Sequence, residues 1–299
     1  MDVKSLLRQF NLRPKKSLGQ NFLSDEHALS QIVRAANITP DDMVLEIGPG
    51  LGSLTCHLCD AARHVIAVEI DRTLIPPLQS VLADRSNVTL VESDILKLDL
   101  RQTLARVLEP SQGYKVVANI PYYITSAIIR HLLEADIKPQ SIVLTIQLEV
   151  AQRIIAQPDD MNLLAVSVQF YGIPRIVHQI PAGAFYPAPD VDSAVVRIDI
   201  PDQPRVAVKD VDRFFQVVKA GFAQKRKQVH NSLASNLPLK HEQIMQALNE
   251  IGIDPKRRAE TLTLEEWGRL TGIADQLIRD QGSVNQGSGT GDQEMLTSE

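Results

Sequence analysis

The chain has 299 residues, 44% of them hydrophobic, and a formal net charge of −5. That length and apolar content suffice for one large or two ordinary domains with a substantial core. The acidic balance excludes a protein that holds nucleic acid by bulk positive charge. No apolar run is long enough to span a bilayer, and the N-terminal MDVKSLLRQFNLRPKK lacks a signal-peptide core, so no membrane partner and a cytoplasmic location are expected.

Read in chain order, the N-terminal arm carries one cluster of cations: Lys4, Arg8, Arg13, Lys15 and Lys16. From about residue 43, apolar runs alternate with amphipathic ones. MVLEI (43–47), HVIAVEI (64–70), VTLVES (88–93), KVVANI (115–120) and SIVLTIQ (141–147) read as buried parallel strands. SLTCHLCDAA, RTLIPPLQSVLA and TSAIIRHLLEA read as helices between them, the second shortened or bent by Pro76 and Pro77. Such alternation predicts an α/β, doubly wound sheet. Cys56 and Cys59 fit the helical pattern of their segment and lack a second cysteine pair, so they are expected to be ordinary helix residues.

LAVSVQFYG (164–172) and SAVVRIDI (193–200) read as two further strands, able to pair antiparallel at the sheet edge. From about residue 205 the character becomes helical through 210–237, 240–252 and 263–280, predicting a small second domain over 205–280. A second basic cluster lies here: Lys219, Lys225, Arg226 and Lys227. From Gln281 on, Gly, Ser, Asn and Gln dominate, and 281–299 reads as a disordered tail.

Three features fall at successive strand ends, where open α/β sheets bind ligands. EIGPGLG (46–52) places glycines at alternate positions, letting backbone approach a ligand, with a spacing that is not the dinucleotide one. Glu69 follows at about the distance of a ribose-binding carboxylate, and Asp94 ends the next strand, where it can also cap ILKL. The fourth strand runs into VVANIPYYIT (116–125). Pro121 stops it and leaves a carboxamide, Asn119, and a ring, Tyr122, on a stiff turn. The Asn119 oxygen and the Ile120 carbonyl can accept hydrogen bonds there. Tyr122 presents a flat ring, and Phe185, in a loop stiffened by Pro187 and Pro189, can cover the far side of a ligand.

EIGPGLG, VEID and SD resemble the S-adenosylmethionine site of class I methyltransferases. NIPY is similar to the motif of those that methylate an exocyclic amino group. KKSLGQNFL (15–23), FYPAPDVDSAVVRI (185–198), GFAQKRKQVHNSL (221–233) and RRAETLTLEEWGRL (257–270) narrow the resemblance to the KsgA/RsmA family of small-subunit (16S) rRNA adenine N6,N6-dimethyltransferases, over about residues 15–272. The resemblance implies a Rossmann-like catalytic domain with its N-terminal arm (1–204), an all-helical RNA-docking domain and S-adenosyl-L-methionine as cofactor. It also implies a monomer acting on 16S rRNA in the assembling 30S ribosomal subunit, without a metal. Asn21 and Leu23 are then expected to line the cofactor pocket, Gly48 to approach the methionine part, Glu69 to accept from the ribose hydroxyls and Asp94 from the adenine amino group. Asn119 is expected to touch both cofactor and target.

The chain departs from the family pattern at Leu148, at Met161 and Asn162, and at Lys225-Arg226-Lys227. Three alternatives stay open on the sequence: a large-subunit rRNA adenine methyltransferase of the macrolide-resistance type, a ribosome-assembly factor with this fold, and a nicotinamide oxidoreductase. The glycine spacing disfavours the last.

Overall fold

The structure is a computed structural model that describes residues 2–105, 107 and 113–287. Its chain divides into two compact units, one comprising residues up to Ile155 together with Ser167–Arg205, the other Ala156–Val166 together with the chain from Val206 on. Segment 156–166 thus belongs with the helical unit, not with the catalytic domain to which 1–204 was assigned.

The arm, to which the sequence assigned no element, holds helix α1 (Val3–Gln9) and a two-residue strand β1 (Phe22–Leu23). Helix α2 (Glu26–Ala36) follows. Asp25 caps it by accepting the Ala28 amide at 2.7 Å, and Asn37 ends it in the left-handed conformation Asn tolerates. Strands β2 (Met43–Ile47), β3 (His64–Glu69), β4 (Val88–Glu92), β5 (Tyr114–Asn119) and β6 (Ser141–Gln147) form where the apolar runs predicted them. Helices α3 (Ser53–Ala61), α4 (Ile75–Val81), α5 (Leu100–Leu104) and α6 (Thr125–Leu133) lie between them in the chain. Cys56 and Cys59 are unpaired thiols of α3.

The five strands are parallel, and β2 is buried along its whole length, as a sheet covered on both faces requires. From β2 the chain builds outward to β3 and β4, then returns to place β5 and β6 on the other side of β2. The reversal puts a crevice beyond the carboxyl ends of β2 and β5.

Beyond β6 the structure corrects one element. After α7 (Leu148–Ile154), the run predicted as a strand over 164–172 is helix α8 (Leu163–Tyr171). A short apolar run is ambiguous by periodicity, and the caps decide it here. The Asn162 side chain accepts the Ala165 amide at 3.1 Å and the Asn162 carbonyl accepts from Val166, so the residue that departs from the family pattern starts the helix. The edge strand is instead β7 (Ile173–Ile180), whose alternating exposure marks a one-sided strand; it pairs antiparallel with β9 (Ser193–Asp199), itself antiparallel to β6. Between them, β8 (Phe185–Tyr186) pairs with β1, setting Leu23 opposite Phe185.

The helical unit contains α9 (Val211–Phe222), α10 (Val229–Asn236), α11 (His241–Glu250) and α12 (Leu264–Gly287). The helical run expected over 210–237 is broken at the exposed Lys225-Arg226-Lys227 loop. There Gln228 turns extended, and the Val229 amide donates to the Arg257 carbonyl at 2.7 Å instead of back along the chain. Trp267 of α12 is fully buried, and its indole fills the space where Gly221 of α9 lacks a side chain. Helix α12 continues to Gly287, so the expected tail does not begin at Gln281. Extending an existing helix costs far less than starting one, which composition does not register. Residues 288–299 of the expected tail lie outside the described residues.

Among the described residues no helix is long and apolar enough to cross a membrane.

The cap at Asn162 makes a direct prediction. Asn162→Ala should lower unfolding stability by about 1 kcal/mol, the usual worth of an N-cap, read as a lower denaturation midpoint with an unchanged denaturant slope. An unchanged midpoint would contradict the assignment.

Candidate active site

One cleft lies at the switch point, and the turns after four parallel strands line it. Asn21, Leu23, Gly48, Glu69, Asp94, Asn119, Ile120 and Tyr122, all named from the sequence, line it together. Phe185 does not. Its pairing with Leu23 turns the ring into the core, where it is 4% exposed in a cluster with Leu23, Leu29 and Ile180.

The glycine turn after β2 is shaped by conformation. Gly48 has φ +70°, which L side chains rarely adopt, and its amide donates to the Val68 carbonyl at 2.9 Å. At Gly50, with φ +60°, an added Cβ would come within 3.1 Å of the Phe22 ring, so the arm closes on the turn because no side chain intervenes.

Glu69 holds the next strand end. One carboxylate oxygen accepts the Gly50 amide at 3.0 Å and the other the Asp71 amide at 2.8 Å. Burial pushes its carboxyl up, and the backbone amides of Asp71 and Gly50 counter this. The carboxylate still has lone pairs for hydroxyl donors of a ligand. Asp94 accepts the Leu96 amide at 3.0 Å, so it both caps its turn and lines the cleft.

Two groups were not singled out from the sequence. The first is a knot at Asp71, a buried residue just past β3. It accepts from Lys15 Nζ at 2.7 Å, from Gln20 Nε2 at 2.7 Å and from the Thr73 hydroxyl at 2.7 Å. Burial opposes its charge, but these donors outweigh it and hold the carboxyl at about 2. The knot ties the arm beside the cleft. The second is Glu46, 1% exposed on β2 and lining the cleft, with Oε2 lacking a hydrogen-bond partner among the described residues. Burial, with the neighbouring Glu69 charge adding, pushes its carboxyl up to about 8.

At the end of β5, Asn119 Nδ2 donates to the Asn21 carbonyl of the arm at 3.3 Å, which leaves Oδ1 to accept. The Tyr122 hydroxyl shares a 2.7 Å hydrogen bond with Ser193 Oγ, which anchors the far end of the ring. Tyr123, next in the same short turn, also lines the cleft and is 63% exposed.

The donor set suits S-adenosylmethionine. Two carboxylates, Glu69 and Asp94, and the buried acid Glu46 line a cleft that would take a ligand carrying a sulfonium, an ammonium and ribose hydroxyls, and the glycine turn leaves room for it.

Glu46 yields a pH prediction. Its folded value lies above the ordinary 4.5, so the buried acid is neutral in the fold while already ionised in the unfolded chain. Relative to Glu46→Gln, wild-type stability should be unchanged below about pH 4.5, fall as pH rises, and level off above about pH 8. Parallel pH profiles of the two proteins would contradict this.

A family model described as ribosomal RNA adenine dimethylase matches residues 11–276. The chain is 47% identical over 269 residues to ribosomal RNA small subunit methyltransferase A of Dehalococcoides mccartyi strain CBDB1, covering 90% of this chain and 91% of that one. It is 46% identical over 273 residues to the protein of the same name from Moorella thermoacetica, covering 89% and 94%. Among solved structures, the 23S rRNA methyltransferase ErmE superposes with a TM-score of 0.68 at 29% identity, over 85% of this chain and 100% of that one. A Plasmodium falciparum dimethyladenosine transferase shares the fold with a TM-score of 0.71 at 24% identity, over 87% and 98%. The sheet is therefore that of a Rossmann-like class I methyltransferase, and the chain belongs to the ribosomal RNA adenine dimethylase family.

Proposed function

We propose that this enzyme dimethylates the N6 amino groups of two adjacent adenosines in the 3′-terminal hairpin of 16S rRNA within the assembling 30S subunit, acting as a monomer in the cytoplasm. The observation that carries the reading is the convergence of Asn119, Ile120 and Tyr122 on the same cleft as Gly48, Glu69 and Asp94. Identities of 46–47% over about 90% of the chain to proteins named for the small subunit support the small-subunit reading.

S-adenosylmethionine, when bound, supplies an electrophilic methyl group on sulfur. The protein's part is to present the nucleophile. An adenine amino nitrogen is weak because its lone pair is spread into the ring. Asn119 Oδ1, left free to accept by the bond from Nδ2 to Asn21, and the Ile120 carbonyl take hydrogen bonds from the two N–H groups and aim the lone pair. Tyr122 holds the base by stacking, its hydroxyl anchored on Ser193. No strong base is needed, because the cationic nitrogen formed as the methyl group leaves sulfur is acidic and gives its proton to water; positioning can lower such a barrier by about 7–11 kcal/mol in favourable cases. Asn21 and Leu23 close the cofactor pocket from the arm, Gly48 admits the methionine part, Glu69 binds the ribose and Asp94 the adenine amino group. The basic loop of the helical unit, Lys225-Arg226-Lys227, docks RNA phosphates.

Asn119→Ala should abolish methyl transfer while cofactor affinity stays within about tenfold, ~1.4 kcal/mol, by calorimetric titration. Retained turnover would remove the carboxamide from the mechanism. Lys225→Ala with Arg226→Ala should weaken RNA binding more at low salt than at high and flatten the dependence of log K on log salt by about 0.7–0.9 per lost phosphate contact. An unchanged slope would place those cations away from phosphate.

A further inference from the structure

Tyr123 has no part in the reaction as derived above, yet it is a large ring 63% exposed at the edge of the cleft. A single exposed tyrosine is ordinary. This one is also held in place. It sits in the one-turn helix Tyr122–Ile124, between Pro121 and the start of α6. Its neighbour Tyr122 is tethered to Ser193. On one side it is backed by the arm: at Gly19, with φ +59°, an added Cβ would lie 3.4 Å from Cδ1 and Cε1 of the ring and 3.2 Å from Pro121 Cβ. The same arm turn carries Lys16, exposed and without a carboxylate partner among the described residues. A supported ring with open surface, backed by a turn that also carries a cation, offers the two things that hold single-stranded nucleotides: stacking for the base, charge for the phosphate.

We infer that Tyr123 and the Lys16–Gly19 turn form a subsite for the nucleotide next to the target adenosine, the ring stacking on its base and Lys16 meeting its phosphate. The inference rests on the RNA-methylating reading above. Extruding the target base leaves its neighbour without a stacking partner. Tyr123 replaces that partner just outside the site where Tyr122 holds the target. Phe185, the other aromatic expected near the substrate, is packed in the core and leaves Tyr123 as the exposed ring of the cleft.

The test compares Tyr123→Leu, Tyr123→Phe and Tyr123→Trp on 30S subunits lacking the modification. Tyr123→Leu keeps apolar contact with the arm but cannot stack; it should raise KM for 30S roughly 5- to 150-fold, the loss falling on KM rather than kcat. Tyr123→Phe and Tyr123→Trp should restore KM. The new indole should be quenched on adding the subunit, while Trp267, fully buried, gives a constant background. A wild-type KM for Tyr123→Leu, or failure of Phe to rescue, would overturn the subsite. Absence of methyl transfer by the wild-type enzyme would instead overturn the substrate reading on which it rests.

Discussion

The site depends on two carboxylates two residues apart at the end of β3. Glu69 binds the amide of Gly50 and the amide of Asp71, so one buried group joins the glycine turn to its own strand end. Asp71 then gathers Lys15, Gln20 and Thr73. Through Lys15 and Gln20 the N-terminal arm is fixed, and the arm delivers the Asn21 carbonyl that orients Asn119. The apolar side of the same attachment is a buried cluster of Val3, Leu7, Phe22, Leu51 and Leu74, in which side chains of the arm pack with the glycine turn. Ions alone would hold such an arm weakly, since long side chains lose entropy when they are fixed. Burial of Val3 and Leu7 adds the non-directional part.

Charge is unevenly distributed over the chain. The Asp, Glu, Lys and Arg residues that line the cleft are all acids, Glu46, Glu69 and Asp94, and Glu46 is buried with an oxygen that has no partner among the described residues. Two clusters of cations stand outside the cleft lining, one on the arm and one in the Lys225–Lys227 loop of the helical unit. A net charge of −5 therefore says little about any one surface, because acids and cations are gathered in different places.

How much of this was legible in the sequence follows from what each feature depends on. The parallel strands were legible because burial on both faces writes a continuous apolar run. Glu69, Asp94 and Asn119 were legible because each stands at the end of a parallel strand, whereas Asn21 and Leu23 of the arm followed only from the family resemblance. LAVSVQF misled because a buried helix writes a similar run, and only Asn162 at its start separates the two. Phe185 looked like part of the site because prolines stiffen its loop, but the loop pairs with the arm and turns the ring inward. The Asp71 knot left no local signal, since Lys15 stands 56 residues before its partner. Helix α12 ran past the point where composition turned polar, because it was already formed.

The most direct test of the central claim is a tritiated S-adenosylmethionine assay on 30S subunits that lack the modification, followed by mapping of the labelled nucleotides. The account predicts two methyl groups on each of two adjacent adenosines in the 3′-terminal hairpin of 16S rRNA. Label confined to 50S subunits or free 23S RNA, with none on 30S, would contradict it.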